Sequence, residues 1–244
     1  IGILLQLFNR SAAGIFELLA LPASFTRFAW QPWSIFTYMF MHGGLGHIFM
    51  NMFMLWMFGP VMEAYWGSRK FFFYYIICGL GAGFCQELAQ FVQFYIICNE
   101  QVPGFTFADT MMVVRANQGL LNLWTTVGAS GALYGILLAY GMYFPNERMF
   151  VIPFPFPLKV KWVIAGSIVL ELFSAIATTN DGVAHLAHLG GMLFGYILTV
   201  LQVPQALMSL VTDGHLNKWI VLIGINIVLL ILGCVLETVS IILI

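Results

Sequence analysis

Residues 45–65, 71–98, 130–144, 161–177, 184–201 and 219–244 are apolar runs of helix length, separated by polar, proline-bearing or basic breaks. Crossing the hydrocarbon of a bilayer takes about 20 apolar residues, and every backbone N–H and C=O there must find its partner within the segment. A chain built this way is constrained to a helical bundle in lipid. Its surface cannot face water: 8% of the 244 residues are charged and 61% are hydrophobic, where about 25% charged is usual for a soluble domain. The expected fold is all-α, a polytopic membrane helix bundle.

The order of the runs refines this. Residues 1–8 are apolar but too short to span, and the chain opens on Ile1, so a truncated first span is expected there. Residues 9–33 are mixed, and Phe16-Glu17-Leu18-Leu19-Ala20-Leu21-Pro22 suggests a short amphipathic piece at the interface. The run at 71–98 is interrupted by Gly79, Gly81 and Gly83 and by the polar pair Gln86 and Glu87. Residues 99–126 read as a polar, irregular loop. Pro145 and the Pro153-Phe154-Pro155-Phe156-Pro157 segment mark another loop, because proline cannot continue a helix. The result is a six-span core with a truncated first span, and an extra C-terminal span. Arg69, Lys70, Arg148, Lys159, Lys161 and Lys218 fall on one side of this alternation, against Arg10, Arg27 and Arg115 on the other. The positive-inside rule makes the first side cytoplasmic.

Composition also excludes partners. A net charge of −1 with no basic cluster argues against nucleic acid. Cys78, Cys85, Cys98 and Cys234 show no C-x-x-C spacing and read as small core residues.

Chemistry concentrates at one end. On the same topology His42, His47, Ser130, Asp181, His185 and His188 all lie toward the external side. Thr126-Val127-Gly128-Ala129-Ser130-Gly131-Ala132-Leu133-Tyr134-Gly135 sets a serine between small residues where a polar loop meets an apolar run. A helix N-terminus offers unpaired N–H groups to an oxyanion, and a serine needs both a base and such donors to act as a nucleophile. Taken alone, the same stretch is better explained by small-residue helix packing. The G-x-S-x-G elbow is absent, since Ala132 stands at its last glycine. His47 and Asn51, four apart, share a helical face and can both donate hydrogen bonds. His188, Gly191 and Gly195 share another face, where the glycines admit a close partner helix such as Ser130, Gly131 and Gly135. Spacing alone does not choose between His185 and His188. No carboxylate is spaced with these histidines and H-E-x-x-H is missing, so no metal and no cofactor are expected.

Three ordered motifs resemble the rhomboid family of intramembrane serine proteases across most of residues 1–200. They are His42…His47-Ile48-Phe49-Met50-Asn51, Gly128-Ala129-Ser130-Gly131 and Ala187-His188-Leu189-Gly190-Gly191. The resemblance implies Ser130 as nucleophile and His188 as general base, a dyad with no aspartate orienter. It implies an oxyanion hole from His47, Asn51 and the Ser130 backbone N–H, with Tyr134 stacked on His188. Gly128, Gly131 and Gly191 would support the site, and Glu63 would be structural. It further implies single-span or multi-span membrane-protein substrates in a lipid bilayer, and a bacterial inner membrane with the site opening externally. Two positions depart from the pattern. Ser34 replaces the arginine that often follows Trp33, weakening a loop anchor. Val183 replaces a glycine five residues before His188, which loosens the expected helix crossing.

Residues 203–244 do not resemble a rhomboid ending. Val203-Pro204-Gln205-Ala206-Leu207 and Ile225-Asn226-Ile227-Val228-Leu229 resemble a piece of the large membrane subunit of tripartite ATP-independent periplasmic transporters. The expected domains are therefore 1–202, the protease unit, and 203–244, a tail with its own span. Transport itself would need paired ionisable groups at mid-membrane depth. Glu87 and Glu171 are the deep candidates, and the sequence gives neither an evident basic partner.

Overall fold

A computed structural model of the protein describes residues 10–23, 31–102, 104–117, 125–151, 156–177, 183–201 and 217. The expected span remnant at 1–8, the seventh span at 219–244, Asp181, Pro153 and Pro155 lie outside the described residues.

The described chain is mostly helical. Helix α1 (Arg10–Leu19) leads into strand β1 (Leu21–Pro22), then the one-turn α2 (Ser34–Thr37) and a 3-10 turn at Tyr38–Phe40. Two long helices follow, α3 (Leu45–Trp66) and α4 (Ser68–Gln101). Next come α5 (Phe107–Ala116), β2 (Thr125–Thr126), α6 (Ser130–Tyr143), β3 (Arg148–Met149), β4 (Leu158–Lys159), α7 (Val160–Ile176) and α8 (His185–Val200). The strands form two minimal antiparallel ladders, β1 with β2 and β3 with β4. Among the described residues these ladders are the one departure from an all-α chain.

Helices α3 and α4 are both long and apolar enough to cross a membrane. Leu45 and Trp56 on α3 are more than 70% exposed, an outward face suited to lipid and not to water. Gly67 makes the turn between the two helices. Its φ of 83° suits glycine, and its N–H donates to the Glu63 carbonyl at 2.7 Å.

The glycines of α4 do not interrupt it, contrary to the sequence expectation. They are sites of close packing inside one continuous 34-residue helix. A Cβ on Gly79 would run into Met39, and one on Gly81 into Phe194. The expected irregular loop at 99–126 also needs correction, because it contains the end of α4 and all of α5. That short helix is nucleated locally: Thr106 caps it and Asp109 returns the bond to the Thr106 N–H at 2.9 Å, a capping box. The two hydrogen bonds from Thr106 hold the Asp109 carboxyl below its ordinary range.

Helix α8 packs against α4 and α6, with α7 beside it. One side chain ties three of these elements together. The buried Tyr74 hydroxyl of α4 donates toward the carbonyls of Gly135 on α6 (3.1 Å) and Gly195 on α8 (2.9 Å), with Thr199 Oγ1 3.2 Å away. The end of α1 is fastened to the chain before the core: Trp33 Nε1 donates to the Leu18 carbonyl at 2.9 Å and Thr37 Oγ1 to that of Leu19 at 2.7 Å. Ser34 is fully buried, and the Trp33 and Thr37 bonds anchor this segment without an arginine.

Candidate active site

Ser130 is the first residue of α6, where backbone N–H groups have no partner within the helix. The chain reaches it along β2, which pairs with β1, and then through Gly128, whose N–H donates to the Tyr38 carbonyl at 2.9 Å. Gly128 has φ 125°, a region side chains disfavour. A Cβ there would also lie 2.6 Å from His47 Nε2. Glycine thus lets the serine loop lie directly against α3.

Across the loop, His47 and Asn51 face the same space. The Gly43 N–H donates to His47 Nδ1 at 3.3 Å, so a neutral His47 carries its proton on Nε2, on the side of Gly128. Asn51 is buried, and its Nδ2 has no hydrogen-bond partner among the described residues. A Cβ at Gly128 would sit 3.5 Å from that nitrogen. Two donors therefore converge beside the loop that carries the serine. His42 is buried next to His47, with ring centres 5.2 Å apart. Burial, then the neighbouring His47, pushes its imidazole below the ordinary 6.5.

From the other side comes α8. His188 Nε2 lies 2.8 Å from Ser130 Oγ. The approach is set by backbone: a Cβ on Gly191 would collide with the Gly131 carbonyl, and one on Gly195 would lie 3.0 Å from the Gly135 Cα. Tyr134, one turn past the serine, stacks on the His188 ring at 4.2 Å between centres and 13° between planes. Val183 does not loosen this crossing. It sits outside α8, 46% exposed, with its carbonyl accepting from the His185 N–H at 3.1 Å.

Two sequence expectations fail here. The histidines do have a carboxylate neighbour, and Glu171 does have basic partners. Glu171 Oε2 lies 2.6 Å from His185 Nδ1 and Glu171 Oε1 lies 3.1 Å from His188 Nδ1. The reason is topological. Helices α7 and α8 are joined by a short connection, so Glu171, near the end of one, meets His185 and His188 at the start of the other. Spacing along the sequence, 14 and 17 residues, hides a contact that two consecutive helices make with each other. By residue type this trio could hold a metal ion. The 2.6 Å separation is that of a hydrogen bond, whereas ligands at 2.0–2.1 Å around tetrahedral zinc stand about 3.3 Å apart.

The structure thus brings together Ser130, His188, Tyr134, Gly131 and Gly191 on one side and His47, Asn51 and Gly128 on the other. His185 reaches the cluster through Glu171. Glu87 is buried on α4, and neither carboxylate oxygen has a hydrogen-bond partner among the described residues.

Comparison with known proteins follows the same residues. Residues 29–205 match the Rhomboid domain family. The chain is 26% identical to Rhomboid protein 1, mitochondrial, of Saccharomyces cerevisiae over 65% of its length. It is also 26% identical to Rhomboid protease AarA of Providencia stuartii over 69% of its length. These matches span 38% and 56% of those relatives, so the chain covers about half of their length or less. A short stretch of 53 residues is 49% identical to the C4-dicarboxylate TRAP transporter large permease protein DctM of Pseudomonas aeruginosa, 12% of that protein. With the domain match running over most of the chain and through both glycine-packed helices, this integral membrane protein belongs to the rhomboid family, a family of serine proteases.

Proposed function

We propose that the protein is an intramembrane serine protease that cleaves transmembrane substrates near the external membrane face through Ser130 and His188. The observation that carries this reading is the 2.8 Å approach of His188 Nε2 to Ser130 Oγ, at a helix N-terminus with the His47 and Asn51 side chains beside it.

In this mechanism His188 Nε2 takes the Ser130 hydroxyl proton as Oγ attacks the substrate carbonyl. The tetrahedral oxyanion is received by the Ser130 N–H, His47 Nε2–H and Asn51 Nδ2–H. His188 then gives its proton to the departing amine, leaving an acyl-enzyme. Water, deprotonated by the same nitrogen, releases the acid. Gly128, Gly131 and Gly191 permit the close approaches, and Tyr134 holds the ring. A helical substrate hides its carbonyls from attack, so the substrate must unwind locally, which favours helix-destabilising, small-residue sequences. No step requires a metal or a cofactor.

The same reading takes α3, α4, α6, α7 and α8 as five spans of a six-span core within residues 1–202, with 203–244 a catalytically separate tail. Positive charge supports placing the active-site end on the external side of a bacterial inner membrane. A rival reading, a helix-binding relative without protease activity, loses support from the presence of both serine and histidine.

The test uses reconstituted protein, a fluorogenic transmembrane substrate and a fluorophosphonate probe. Wild type should cleave and label. Ser130→Ala should lose both, and His188→Ala should lose cleavage. Folded wild type that neither cleaves nor labels would overturn the protease reading in favour of the helix-binding one.

A further inference from the structure

Glu171 is a buried carboxylate in an apolar helix, and the mechanism above does not use it. A carboxyl group in such a place is tolerated when its oxygens are hydrogen-bonded. Here both are: Oε2 by His185 at 2.6 Å and Oε1 by His188 at 3.1 Å. An ionised carboxylate only accepts, so each histidine must present Nδ1–H. A neutral imidazole has one N–H. With the proton on Nδ1, the Nε2 of His188 is a bare lone pair, and that lone pair is what faces Ser130 Oγ. The opposite tautomer would direct an N–H at the serine and have nothing with which to take its proton.

We propose that Glu171 is a positioning residue for His188, completing a serine–histidine–glutamate triad drawn from α6, α8 and α7, with His185 holding the carboxylate in register. This rests on Ser130 and His188 being nucleophile and base. The resemblance to rhomboids implies a dyad without an aspartate orienter, so the glutamate is a property of this chain's own residues. The proton on Nδ1 stays there throughout; the glutamate fixes the tautomer and faces the imidazolium that forms when Nε2 is protonated. His185 occupies the other oxygen, which keeps the carboxylate from turning away. Tyr134 supports the pair from the other side, stacking on the His188 ring.

The experiment combines kinetics with 15N-histidine NMR on the reconstituted full chain, the His188 signals being those lost in His188→Ala. In wild type the His188 proton should reside on Nδ1 with Nε2 bare. Glu171→Leu, which removes the acceptor but suits an apolar helix, should give a mixture of tautomers and lower kcat about 10- to 100-fold with KM unchanged. That is less than the loss of about 10⁴ typical of an orienter in a soluble triad, because the Tyr134 stack still holds the ring. Glu171→Gln, keeping a neutral acceptor, should recover part of the loss. His185→Ala should cost less than Glu171→Leu. A wild-type His188 with its proton on Nε2, or a folded Glu171→Leu with wild-type kcat, would overturn the proposal. If Glu171→Leu does not fold, the wild-type tautomer alone decides. His188→Ala cleaving at the wild-type rate would instead remove the reading on which the triad depends, whatever Glu171 does.

Discussion

At the scale of single residues, the donors beside the serine separate binding from chemistry. Asn51 is buried and its Nδ2 is unpartnered among the described residues, the state expected of a donor reserved for a transient anion. Asn51→Ala should cost on the order of 3 kcal/mol of transition-state stabilisation, a fall of about 10²-fold in kcat with little change in KM. Single-turnover cleavage of the fluorogenic substrate measures it; an unchanged kcat would remove Asn51 from the oxyanion hole. Tyr134 makes a different prediction. Tyr134→Phe keeps the ring stacked 4.2 Å from His188 and should lose far less activity than Tyr134→Ala, which frees the imidazole to rotate. His47 and Asn51 were legible as neighbours on one helical face, whereas Ser130, Tyr134 and His188 stood out through the motifs that resemble rhomboids. Glu171 was visible only as an isolated deep carboxylate. Its partners lie on the next helix, and nothing in a linear spacing records how two consecutive helices align in depth.

At the scale of elements, the α6–α8 crossing is the most exacting contact. Gly191→Ala should push the helices apart, since the new Cβ meets the Gly131 carbonyl. The expected result is a lower melting temperature in micelles and loss of cleavage together. Gly166→Ala on α7 is the matched control. Nothing lies within 4 Å of that position, so it should leave activity intact and stabilise by up to about 1 kcal/mol through helix propensity. The sequence located these helices to within a few residues because apolar runs and breakers carry that signal. It misread the glycines of α4 as interruptions and residues 99–126 as irregular. The first error has a physical cause: glycine weakens a helix by intrinsic propensity, and packing against Met39, Tyr38 and Phe194 outweighs it. The Thr106–Asp109 capping box, by contrast, is a sequence-level signal for α5.

At the scale of the whole molecule, burial of His42 links stability to pH. Its imidazole is held below the ordinary 6.5, chiefly by burial. Between that lowered value and about 6.5 the unfolded chain binds more protons than the folded one, so stability falls as pH falls through this window. Melting followed between pH 7.5 and 5.5 should show the decline, and His42→Asn should flatten it. Removal of residues 203–244 should leave cleavage unchanged if 1–202 is the proteolytic unit, and an inactive yet folded truncation would show the tail to be part of it.

The glycine crossing also bears on how such a reaction centre changes over generations. Where two backbones touch, the serine-to-histidine spacing has no rotamers to absorb a replacement and no series of slightly larger residues through which to drift. Substitutions on the lipid-facing surfaces meet no such barrier. Positions 131 and 191 offer no gradual path, so if this serine and histidine carry the chemistry it is inherited whole or lost in one step.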